Sequence, residues 1–226
     1  MKKTILTLVA GCLLSGSLFP AAAGVTDNSG AVEVRQESDG RSRMAYRGFI
    51  GGMMLHTGYV CSRDITLMTP SGPDNISVGG APFGVGGAIR FMFGRHLRVG
   101  AEGYVSTLTY GEHRSHAKTG WGGVLADCAW KLGGCRVFVG GTVGGGSQTN
   151  TTILSPVEND YLTEEAISYR KYGFIAVAPF AGVEVAVTRK VNVVFKADWM
   201  LNVSNPQDDF VTGPRLYVGF MFGHLD

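Results

Sequence analysis

The chain has 226 residues with a formal net charge of +2, 45% hydrophobic and 17% charged side chains, and 34 glycines. That length suits one sizeable domain, and the balanced charge gives no electrostatic footprint for nucleic acid. After residue 23 no stretch approaches the ~18 consecutive apolar residues of a membrane helix, so only strands could carry the chain into a bilayer.

The first segment, MKKTILTLVAGCLLSGSLFPAAAG, has two lysines, an apolar run from Ile5 to Phe19 and then Ala21-Ala22-Ala23. This is the layout of a secretory signal peptide, with cleavage expected after Ala23. Val9-Ala10-Gly11-Cys12 resembles a lipoprotein box, but the apolar run continues well past Cys12. Residues 24–43 are polar and aperiodic and read as a flexible periplasmic leader.

Eight alternating runs follow, at about 44–60, 80–93, 97–110, 120–131, 136–146, 170–188, 191–203 and 214–224. The second contains FGVGGAIRFMF, with Phe83, Val85, Ile89, Phe91 and Phe93 on one face and Gly84, Gly86, Ala88, Arg90 and Met92 on the other. Period-2 alternation marks strands with two unlike faces. The pattern is weakest in the first run, where Ile50 and Met54 fall on what should be its polar face.

The joints alternate strictly. Residues 94–96, 132–135 and 189–190 make short ones, and 61–79, 111–119, 147–169 and 204–213 make long polar ones. An antiparallel meander joined this way has short turns at one end and long loops at the other, which is the plan of an outer-membrane barrel with short periplasmic turns. Lipid tolerates no open sheet edge, so eight such strands must close. The expected fold class is therefore all-β: a closed eight-stranded antiparallel up-and-down transmembrane barrel over residues 44–226. A soluble eight-stranded barrel competes at the level of fold. It would turn a charged face to water, whereas the face opposite the bulky residues here is rich in glycine and alanine. Trp130, Trp199, Tyr59 and Phe93 near strand ends suit interfacial girdles.

Parity then points Arg90 inward, together with Arg98, Glu102, Asp127, Lys131, Glu184, Lys196 and Asp198. On the lipid face an arginine would cost ~2–4 kcal/mol at the bilayer midplane. Four bases facing four acids inside a narrow barrel predict a lumen ion-pair network and a plugged interior. Arg90 is expected to pair with Glu102 or Glu184.

With these features on view, the chain resembles the small eight-stranded outer-membrane proteins of the OmpX and OmpA transmembrane-domain kind, including opacity-type surface proteins. The resemblance covers about residues 44–226 and rests on strand count, loop alternation, the inward charges and strings such as RGFIGGMMLHTGYV, GRHLRVGAEGYVSTL and GPRLYVGFMFG. It implies location in the Gram-negative outer membrane, contact with its lipid and lipopolysaccharide, and insertion by the barrel assembly machinery. Family members commonly end on an aromatic assembly signal, whereas this chain ends Phe222-Gly223-His224-Leu225-Asp226.

Reactive side chains are sparse. Glu112-His113-Arg114-Ser115-His116 could bind a transition metal, and its His113 and Ser115 resemble in outline the pair used by lipid A deacylases. As part of a polar loop tip it reads first as solvated surface. His56 faces inward and reads as a hydrogen-bonded lumen residue. Glu158, Asp160, Glu164, Glu165, Asp208 and Asp209 predict an acidic outer patch, opposite His113, Arg114, His116 and Lys118 of the second loop. Cys61, Cys128 and Cys135 form no disulfide framework, and the expected hairpin register does not pair Cys128 with Cys135. No cofactor or metal is expected. The sequence therefore suggests a non-enzymatic barrel acting through extracellular loops on an unknown ligand. A lipid-modifying enzyme and a small-solute channel are the alternatives.

Overall fold

A computed structural model describes residues 45–69, 72–111, 115–153, 167–204 and 207–225. The expected signal peptide and leader lie outside these residues. The strands are β1 (Tyr46–Gly58), β2 (Val60–Thr69), β3 (Gly72–Gly80), β4 (Phe83–Phe93), β5 (Leu97–Tyr110), β6 (Ser115–Leu132), β7 (Cys135–Ile153), β8 (Ile167–Ala186), β9 (Val191–Trp199), β10 (Leu201–Asn202) and β11 (Pro214–Leu225). Every pairing is antiparallel. The ring runs β1-β4-β5-β6-β7-β8-β9-β11 and closes where β11 meets β1, with Gly48 opposite Leu225. β10 continues β9 along β8, so eight walls enclose the interior. No described helix is long and apolar enough to cross a membrane.

Alternation sorts the side chains. Met53, Val105, Val124, Val143, Phe195 and Phe220 stand exposed on the outer face, while Leu125, Phe138, Phe180 and Met221 are buried inside. Trp130 and Tyr46 stand on the outer face near the short-turn end, and Tyr59, Trp199 and Tyr169 near the other. Ile50 and Met54, awkward in the sequence, are fully buried in the interior. A narrow lumen has to be filled, and these two supply volume among the polar groups.

Close strand approach explains one glycine in particular. A Cβ at Gly100 would run into the carbonyl oxygen of Ile89, with the Arg90 Cα 3.0 Å away. Bare backbone at Gly100, directly opposite Arg90 on β4, is what lets that large side chain leave the sheet inward.

The structure corrects the long connections. Residues 61–79 are not an open loop: β2 and β3 form a hairpin that stands on the barrel mouth. β6 begins at Ser115, so His116 and Lys118 sit on a strand rather than in a loop. β7 runs on to Ile153 and β8 starts at Ile167, well inside the expected 147–169 loop. Val60, Val78, Leu108, Tyr110, Ala117 and Val211 form a second apolar cluster at this end.

The segment 207–213 turns down into the mouth. Asp209, Phe210 and Val211 are buried, and the ring of Phe210 meets Phe174 edge-on at 5.0 Å. Gln148 Nε2 donates to the Asp209 carbonyl at 2.8 Å, and Asn150 Nδ2 donates to Asp209 Oδ2 at 2.7 Å. Trimming should therefore have two outcomes. Replacing 154–166 with a short turn should leave a barrel that still folds, because loop closure depends weakly on length. Removing 147–169 should strip away Gln148 and Asn150 and lower the unfolding midpoint. Heat-modified gel mobility and urea titration in detergent micelles would read both.

Candidate functional site

The interior holds two layers of buried charge. In the layer nearer the short turns, Arg98 faces Asp127 directly across β5–β6. Its Nε donates to Asp127 Oδ1 at 2.6 Å and its Nη1 to Glu184 Oε1 at 2.5 Å. Arg90 enters from β4, with Nη1 donating to Glu184 Oε1 at 3.3 Å and Nε lying 3.3 Å from Asp127 Oδ2. Arg136, opposite Glu184 across β7–β8, approaches Glu184 Oε2 at 3.6 Å. The guanidinium carbons of Arg90 and Arg98 each lie 4.9 Å from the Phe138 ring centre, so cation–π attraction adds to the ion pairs.

The second layer is centred on Lys196. Its ammonium lies 2.8 Å from Glu102 Oε2 and 3.6 Å from Asp198 Oδ2. Glu102 also accepts from Thr142 Oγ1 at 2.6 Å and from the Tyr104 hydroxyl at 3.1 Å. Arg215, directly opposite Asp198 across β9–β11, donates from Nε to Asp198 Oδ1 at 2.8 Å. Tyr217, Phe180 and Tyr104 surround the Lys196 ammonium at 4.4, 4.9 and 5.0 Å.

The structure thus brings together Arg90, Arg98, Glu102, Asp127, Glu184, Lys196 and Asp198. Lys131 does not join them. It keeps the inward parity of Asp127 but lies one residue from the end of β6, where the wall runs out and the side chain is exposed. Arg90 pairs with Asp127 and Glu184, while Glu102 belongs to Lys196. Arg215, absent from the expected set, restores the balance of four cations against four anions. Its signal was available: Leu216, Val218, Phe220 and Phe222 share the outer face, which turns Arg215 inward.

His56 is buried, its ring tilted against Tyr217 at 4.8 Å and edge-on to Tyr104 at 5.7 Å. It packs rather than hydrogen-bonds, since neither ring nitrogen has a hydrogen-bond partner among the described residues. Of the acidic patch, Asp208 is exposed beside Arg63 at 3.4 Å, but Asp209 is buried under Arg170 at 3.5 Å. Glu112, His113, Arg114, Glu158, Asp160, Glu164 and Glu165 lie outside the described residues. Among the described residues no group of three His, Cys, Asp or Glu could hold a metal ion. Cys61, Cys128 and Cys135 are free thiols.

A cavity of about 20 Å³ lies between the upper charge layer and the 207–213 segment, lined by Ser106, Thr119, Met200, Val211 and Arg215 among others. That is room for one or two waters. A charge-filled interior inside a wall whose outer face is apolar reverses the arrangement of a soluble barrel, and only lipid can cover such a wall. The chain folds as a closed eight-stranded antiparallel barrel with the apolar outer wall of a membrane-spanning one.

No protein-family model matches the chain, and no curated protein matches it in sequence. Among solved structures it is similar to Neisserial surface protein A, with a TM-score of 0.48 and 13% identity over 77% of this chain and 96% of that one. It is also similar to Ail, the attachment invasion locus protein of Yersinia pestis, in complex with the heparin analogue sucrose octasulfate. There the TM-score is 0.43 and the identity 14%, over 76% of this chain and 98% of that one. The N-terminal β-barrel domain of Pseudomonas aeruginosa OprF matches with a TM-score of 0.36 and 11% identity, over 79% and 99% of the two chains.

Proposed function

We propose that this barrel is a non-enzymatic outer-membrane protein with a plugged lumen, acting through its extracellular face in surface interaction, adhesion or envelope integrity. The observation that carries the reading is the interior itself. Its described charges are paired with one another among buried Ile50, Leu125, Phe138 and Met221, and this filled interior supports a plug rather than a pore. What remains available to a partner is the long-loop end, which carries the β2–β3 hairpin and the ends of the long strands β6, β7 and β8. In this reading the surrounding partners are outer-membrane lipid and lipopolysaccharide, with an extracellular ligand at the mouth.

Two measurements test it. Purified protein in planar bilayers should give no steady, well-resolved channels, and their appearance would replace the plug with a pore. Single cysteines in a cysteine-free background should label on intact cells at Ser62 and Asn75, and should not label at Arg95 or Gly133. Phe210→Cys should stay unlabelled although it lies in a long connection, because that side chain is buried. Labelling of the short turns alone would invert the orientation.

A further inference from the structure

We propose that the outer wall formed by β5–β8 is a binding site for one bisphosphorylated glycolipid of the outer leaflet, held through Lys118 and Lys171. The inference rests on the orientation proposed above, with the long-loop end outside.

The outward face of β6 carries no charge from Trp130 to Gly120, and then comes Lys118. On β8 the outward face is uncharged from Val187 to Gly173, and then comes Lys171. The two lysines flank Thr149 in one cross-strand row, Lys118–Thr149–Lys171. Two strand spacings separate them, roughly 9–10 Å. Both are exposed, and neither has an acidic partner among the described residues. Elsewhere the outer face is aromatic and aliphatic at this end: Leu55 on β1, Phe83 on β4, Trp199 on β9 and Leu216 on β11. Apart from Arg63 of the β2–β3 hairpin, which Asp208 answers, the exposed positive charge at this end thus lies in one sector, at the point where the apolar wall ends. In an outer leaflet that depth is occupied by headgroup phosphates.

The wall below the lysines is shaped to match. The next row is Gly120–Ser147–Gly173, and the one after it runs Gly103–Gly122–Gly145–Ile175. Five glycines thus leave a shallow floor beneath the two ammonium groups, interrupted by Ser147 and Ile175 and bordered by Val105 of β5. Val124, Val143 and Val177 resume the apolar surface further down. Two fixed cations call for two phosphates on one head, and a broad smooth floor admits several acyl chains side by side. A glycerophospholipid offers one phosphate and two chains, and so uses half of the site.

The test is native mass spectrometry of the folded barrel in detergent micelles, titrated with bisphosphorylated lipid A, monophosphorylated lipid A or phosphatidylglycerol. Wild type should retain one bisphosphorylated lipid in preference to either competitor. Lys118→Gln/Lys171→Gln should weaken that retention at least tenfold while the barrel still runs as the folded species. Gly173→Leu should also weaken it with both lysines in place. A Cβ there meets nothing nearer than the Gly146 carbonyl oxygen at 3.7 Å, so the wall itself is not strained. Lys131→Gln, at the opposite end, should change nothing. Equal retention by the double variant, or phosphatidylglycerol bound as tightly as lipid A, would overturn the proposal. Binding in detergent is independent of which end faces the medium, so the labelling pattern tests the orientation separately.

Discussion

Replacing Glu184 with alanine should destabilise the folded barrel by about 3–5 kcal/mol, the usual cost of leaving buried charge without its partner. Glu184 Oε1 accepts from both Arg90 and Arg98, and Oε2 faces Arg136. Without it, Asp127 alone would answer two guanidinium groups that have no access to water. The exposed acid Asp208, paired only with exposed Arg63, provides the control, and Asp208→Ala should cost well under 1 kcal/mol. Removing Arg98 together with Glu184 should recover part of the loss, which a double-mutant cycle in urea would measure. A Glu184→Ala barrel as stable as wild type would mean that water reaches this layer.

Gly100→Ala should prevent folding almost completely, an effect beyond the 4–5 kcal/mol that marks exceptional substitutions. The added methyl would be driven into the Ile89 carbonyl, and backbone cannot turn aside as a side chain can. Relief requires β4 and β5 to part at the rung that places Arg90. Gly120→Ala is the matched change, since a Cβ there has nothing within 4 Å. The folded fraction of each, read by gel mobility before and after heating, should be near zero for the first and unchanged for the second. Equal folding of both would show that the β4–β5 spacing is more yielding than this geometry allows.

Strand parity carried most of what could be read from the sequence, and its failures have physical causes. Arg90 and Glu184 were legible because period 2 is rigid: once Phe91 and Val183 face lipid, their neighbours face inward. Partner choice was not legible. Which acid meets Arg90 depends on shear and tilt around the ring, and parity contains neither. Lys131 shows the limit at a strand end, where correct parity no longer means burial. The polar string Ser147–Ile153 read as loop because threonine, asparagine and glutamine are common in turns. Here Gln148, Asn150 and Thr152 face a small buried core at the mouth, so the alternation was present but written in polar residues. Asp209 was misplaced for the same reason, since a carboxylate in a presumed loop gives no hint that two carboxamides await it.

The position of Arg215 bears on how the molecule is built. It is the second residue of β11, the last wall to arrive in chain order, and that wall must pair with β1 some 170 residues earlier to close the ring. Contacts so distant in sequence form late and slowly. Until β11 docks, Asp198 has only the shared ammonium of Lys196, and a seven-walled assembly intermediate holds one more anion than cation in its interior. Docking β11 seals the hydrogen-bonded edge and neutralises the interior in one step. A half-closed barrel is thus penalised twice, at its seam and at its centre, and both penalties fall on the same final strand.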